Sequence, residues 1–157
     1  MGDAAFRHPW HPMLVHFPIA AWTFAAALDA LLLTPVNIAV PGIEIAALSH
    51  SLLWTGSALA LPTIAAGVLD FSRLPAPVRR GTTLAHHILW MGSAWTIFLL
   101  AGIFRARSDL FASPAAWPVV FAELAGVVCL IFGGRAAARV VFGELVAAGG
   151  SDGSAQR

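Results

Sequence analysis

The sequence predicts an all-α integral membrane protein, an up-down-up-down bundle of four helices, and three observations carry that expectation. Of 157 residues, 59% are hydrophobic and only 11% are charged, against ~25% charged in an average soluble domain. Four apolar runs are each long enough, at a rise of ~1.5 Å per residue, to cross ~30 Å of hydrocarbon. The mean hydropathy of +0.80 implies more apolar surface than one small core can hide from water, so lipid is the expected solvent.

The first span is expected over about residues 13–33, the second over 45–69, the third over 84–104 and the fourth over 115–134. They form one domain over 1–147, followed by a disordered tail over 148–157 that ends in SDGSAQR. The first run exceeds the ~7–15 apolar residues of a secretion signal and carries Asp29, so it reads as a retained helix. TPVNIAVPGIE, DFSRLPAPVRRGTT and RARSDLFASP are rich in Pro, Gly, Ser or Thr and serve as tight connections between antiparallel neighbours. The Gly133-Gly134 pair closes the fourth run. Beyond it, RAAARVVFGELVAAGG is either an extension of the last helix or an amphipathic piece on the membrane surface. Trp10 and Trp117 fall at the expected water interfaces. Arg7, Arg73, Arg79, Arg80, Arg135, Arg139 and Arg157 lie on one side and only Arg105 and Arg107 on the other. That asymmetry places both termini in the cytoplasm. The tripeptide AWT occurs at 21–23 and 94–96, a trace of a duplicated helical hairpin with unequal His-to-Trp spacing.

The formal charge is +1, with nine basic residues, all Arg. No basic face suits nucleic acid. The single cysteine, Cys129, excludes an intrachain disulfide, a CxxCH haem attachment and an all-Cys metal site. No catalytic triad, phosphate-binding glycine loop or HExxH motif occurs, so a redox-active chain would be an electron-transfer subunit and not a stand-alone enzyme. Histidine is the abundant ligand type, and all six lie in the first 87 residues.

Ionisable residues inside a membrane helix cost ~2.5–3.5 kcal/mol near its centre, so each one points to a site. By depth they form two layers. His16, His86 and His87 lie at the cytoplasmic level, with Asp70, His8 and His11 at its edge. Asp29, His50 and Glu123 lie toward the opposite face. His16 and Asp29 are separated by ~20 Å along the axis and ~140° around it, so they serve different sites. His16 and His86 sit a few residues inside two co-directional spans, which suits ligation of one planar cofactor from both sides. A b-type haem held in this way carries electrons within lipid. His11 and His87 are the substitute ligands, Gly67 leaves room for the wedge, and Arg79 and Arg80 are placed to pair with propionates. The plainer role for these histidines is an interhelical hydrogen bond, and for His11 an interfacial cap before Pro12. Asp29, His50 and Glu123 form either a proton-accepting or quinone-binding cluster or a buried structural network.

The string HPMLVHFPIAAWTFAAALDALL at 11–32, the second-span ending AAGVLD and the LAH at 84–86 resemble the bacterial membrane family catalogued as domain of unknown function 2231. The resemblance covers roughly residues 11–105 and rests on His11, Pro12, Val15, His16, Pro18, Asp29, Gly67, Asp70 and His86. It departs at Trp90, where the family often carries a polar amide. It implies the membrane fold and, through respiratory neighbours of the family, redox chemistry.

The resulting expectation is a haem b protein passing electrons between the quinone pool and a redox protein or respiratory complex subunit. Two rivals are kept: a membrane anchor or assembly subunit whose histidines only join helices, and a transition-metal module using His8, His11, His16 and His86 or His87, since imidazole also suits zinc, copper and nickel. A homo-oligomer is compatible with each.

Overall fold

A computed structural model describes residues 10–34, 44–74, 76–106, 117–140 and 142. His8, Arg107, residues 115 and 116 of the expected fourth span and the tail over 148–157 lie outside the described residues. Six helices follow one another: α1 (Trp10–Leu14), α2 (His16–Leu32), α3 (Ile45–Ser72), α4 (Ala76–Arg79), α5 (Thr82–Arg105) and α6 (Trp117–Arg139). Counting α1 with α2, four segments are long and apolar enough to cross a membrane: Trp10–Leu32, Ile45–Ser72, Thr82–Arg105 and Trp117–Arg139. The chain is therefore a four-span membrane protein in a lipid environment.

The first span starts at Trp10, ahead of the expected residue 13, because Pro12 fits a first helical turn, where its missing N–H has no intrahelical acceptor anyway. α1 and α2 form one rod with a local break at Val15. Pro18 has no N–H to offer the carbonyl one turn back, yet the ladder holds on either side of it, with Val15 N–H donating to His11 O at 3.0 Å before it and Ile19 N–H to Val15 O at 3.3 Å after it. Pro62 interrupts α3 in the same way. Hydroxyls nearby bond carbonyls of the preceding turn, Ser57 Oγ to Leu53 O and Thr63 Oγ1 to Leu59 O, both at 2.8 Å. The fourth span runs on through Gly133 and Gly134 to Arg139. The glycine pair is an interior feature, and the expected end at 134 gives way to a continuous helix.

The interior is built from small residues. Ser49, Leu53, Gly56, Ser57, Ala60, Thr63 and Ala66 form the inner stripe of α3, and Val120, Glu123, Gly126, Cys129, Leu130, Gly133 and Ala136 that of α6. The large apolar side chains Phe17, Phe24, Val68, Leu89, Phe104, Phe121 and Ile131 point outward. Water would penalise that distribution. In lipid it costs nothing, and close approach through small residues supplies the association instead. α2 packs on α3 and α5 on α6, while contacts of α3 with α5 and of α2 with α6 complete the ring. α2 and α5 thus lie on one diagonal and run in the same direction.

Candidate functional site

Side chains from α1–α2 and α5 meet across that diagonal at three levels. His11 and His87 face each other with ring centroids 6.1 Å apart and planes at 88°. Trp22 and Phe98 stack at 5.1 Å, nearly parallel. Asp29 and Arg105 form an ion pair at 2.7 Å. Each pair is separated by 76 positions. The outer helices follow suit with an offset of 70: Trp22 lies over Gly56 as Phe98 lies over Gly126, and His11 bonds Thr63 O as His87 bonds Gly133 O. The bundle is therefore two copies of one helical hairpin about an approximate two-fold axis, and the three pairs lie along it. This frame differs from the AWT register by three residues, almost one helical turn: the counterpart of Trp22 is Phe98 and not Trp95.

At the His level both rings are held alike. His11 Nδ1–H donates to Thr63 O and His87 Nδ1–H to Gly133 O, each at 2.9 Å. A carbonyl only accepts, so both Nδ1 atoms carry a proton. Among the described residues neither Nε2 has a hydrogen bond. Gly67 seats the His11 ring, since a Cβ there would stand 2.9 Å from Nδ1. Asp70 Oδ2 accepts from the His11 backbone N–H at 3.1 Å, fixing the start of α1 against the end of α3. Asp70 also lies 3.6 Å from the exposed Arg73.

The expected pairing of His16 with His86 is replaced by this one. Both of those residues are exposed on the outside of the bundle. The reason is azimuth: His16 is five residues from His11 and His86 one from His87, which turns them ~140° and ~100° away. Gly67 serves as the seat of a ligand candidate. Arg79 and Arg80 are exposed at the same end of the bundle, and Arg79 Nη1 donates to Ser72 O at 3.5 Å.

At the opposite end Arg105 is buried. It donates to Asp29 Oδ2 and Ser49 Oγ at 2.7 Å and to Ala46 O at 2.8 Å, and Ser49 Oγ donates to Ala25 O at 3.2 Å. Asp29 and Glu123 are fully buried. Glu123 lies within hydrogen-bonding reach of Asp29. His50, expected in this cluster, instead accepts from Trp54 Nε1 at 3.1 Å.

Sequence reasoning missed Arg105, Ser49, Thr63 and Gly133. One signal was available: His11 and Asp29, Ser49 and Gly67, and His87 and Arg105 are each eighteen positions apart. Eighteen residues make five full turns, so both members of each pair share a helix face, ~27 Å apart. Among the described residues no three His, Cys, Asp or Glu side chains gather as a metal site.

Over residues 7–149 the chain matches the family model described as predicted membrane protein (DUF2231), and it belongs to that family. No curated protein and no solved structure matches it.

Proposed function

We propose that this family member is a b-type haem protein of the bacterial inner membrane that passes electrons between the quinone pool and a redox partner, and that His11 and His87 would hold the haem. The observation carrying the reading is the matched pair of rings on the axis, each with Nδ1–H tied to a backbone carbonyl and Nε2 free. That outer hydrogen bond is how a ligating imidazole is oriented and its basicity raised.

The two rings meet across the bundle with centroids 6.1 Å apart, so His11 and His87 are the residues that would hold the group. Bound there, iron would supply reversible one-electron chemistry in an apolar shell that tunes its potential. The protein's part is to fix both tautomers, exclude water with the Trp22–Phe98 stack below the site, and present Arg73, Arg79 and Arg80 to propionates at the same end. The arginine asymmetry favours a cytoplasmic position for this layer and for both termini.

Optical spectra of the full chain purified in lipid nanodiscs test the reading. A Soret band and a reduced α band are expected, lost in His11→Ala and in His87→Ala and kept in His16→Ala and His86→Ala. Colourless protein carrying zinc or copper would overturn haem in favour of a metal module. Protein carrying neither would leave an anchor or assembly subunit.

A further inference from the structure

The far layer holds two fully buried carboxyl groups and one guanidinium. Arg105 satisfies Asp29 Oδ2. Asp29 Oδ1 and both oxygens of Glu123 are buried with no donor. An ionised carboxylate sealed in an apolar bundle without a partner is not a stable arrangement. Two neighbouring carboxylates facing a single cation do not both stay charged.

The groups facing Glu123 from each packed helix are few. α2 offers Asp29 and α5 offers Arg105. α3 offers the Ser49 hydroxyl, already engaged with Arg105 and Ala25 O, and its His50 is engaged with Trp54. The repeated frame makes the same point: at the position of Glu123 the first hairpin has Leu53, and opposite Arg105 stands Asp29, so among the described residues of the layer Glu123 is the carboxyl with no counterpart.

We propose that Asp29 and Glu123 form a binding site for one proton, held on Glu123, donated to Asp29 Oδ1 and balanced by Arg105. With that proton the described residues of the layer sum to zero charge: one carboxylate, one guanidinium and one carboxylic acid. Two of the three orphaned oxygens are then paired, since the acid O–H reaches Asp29 Oδ1, and the third remains as a neutral carbonyl, which costs far less to bury than a carboxylate. The site lies at the end of the bundle away from the His11–His87 pair and does not depend on what that pair binds.

Infrared spectroscopy of the full chain in nanodiscs at neutral pH tests it. Wild type should show the carbonyl stretch of a protonated carboxylic acid, shifted by deuterium exchange. Glu123→Gln should abolish the band and keep the fold, because the amide still donates to Asp29 Oδ1. Asp29→Asn should also abolish it, since Glu123 then ionises against Arg105. A band surviving in either variant, or no band in wild type, would overturn the proposal. So would sodium-dependent thermal stability in a wild-type protein lacking the band, which would assign the oxygens to a metal cation.

Discussion

Replacing Asp29 and Glu123 by their amides, singly and together, gives a strongly non-additive result if one proton neutralises this layer. In Asp29→Asn the charge-assisted bond from Arg105 Nη1 at 2.7 Å is lost, but Glu123 releases its proton and takes over as counter-ion, so the cost is ~1 kcal/mol. Glu123→Gln preserves the donor to Asp29 Oδ1 and stays within ~0.5 kcal/mol. The double variant takes from the Arg105 guanidinium, 7% exposed, the carboxylate it holds at 2.7 Å and the one beside it. Breaking a buried ion pair by removing one partner costs ~3–5 kcal/mol. The coupling is then ~2 kcal/mol or more, roughly a thirtyfold change in the unfolding equilibrium. The assay is reversible unfolding in mixed micelles, followed by the fluorescence of the six tryptophans. Additivity within ~0.5 kcal/mol would refute the idea that the two carboxyls share one role.

Three further outcomes follow from the packing. Gly56→Ala and Gly126→Ala each place a Cβ 2.7 Å from the Trp22 or Phe98 ring and should cost ~1–3 kcal/mol. Gly92→Ala meets nothing within 4 Å and should gain up to ~1 kcal/mol from helix propensity; equal signs for the three would contradict the assigned contacts. Trp22→Ala removes the stack with Phe98 and the Nε1–H bond to Ser57 Oγ. It should nonetheless cost less than the ~3–5 kcal/mol typical of a water-soluble core, because lipid is as apolar as the site left behind, and unfolding in the same micelles checks the difference. His16→Phe and His86→Phe should leave stability within ~0.5 kcal/mol, and a larger loss would give those exposed rings a structural role.

The four spans were legible because length and composition alone decide them, and each expected boundary fell within a few residues of the structure. The exception was the fourth, where Gly133 and Gly134 read as a stop. Inside a bundle a glycine is instead a place for a neighbour, and Met91 Sδ occupies the space beside Gly133. Depth was legible for some residues: Asp29 lies with Glu123 at one end of the bundle and His11 with His87 at the other. Azimuth was not. Choosing His16 and His86 by their distance into the apolar run ignored which way each ring turns, and the turn is what brings His11 to His87. Arg105 was counted only as a loop charge, because a cation at a helix end is ordinarily solvated. Its burial follows from Asp29 standing at the same level on the diagonal helix, which a single sequence reveals only through the repeated spacing of eighteen.

The most direct measurement is electron paramagnetic resonance of the oxidised full-length protein in nanodiscs. A low-spin ferric signal from a six-coordinate haem, converted to high spin by His11→Ala and by His87→Ala but unchanged by His16→Ala with His86→Ala, is the predicted result. A low-spin signal that survives loss of both inward histidines, or one that vanishes with the two outward ones, would contradict it.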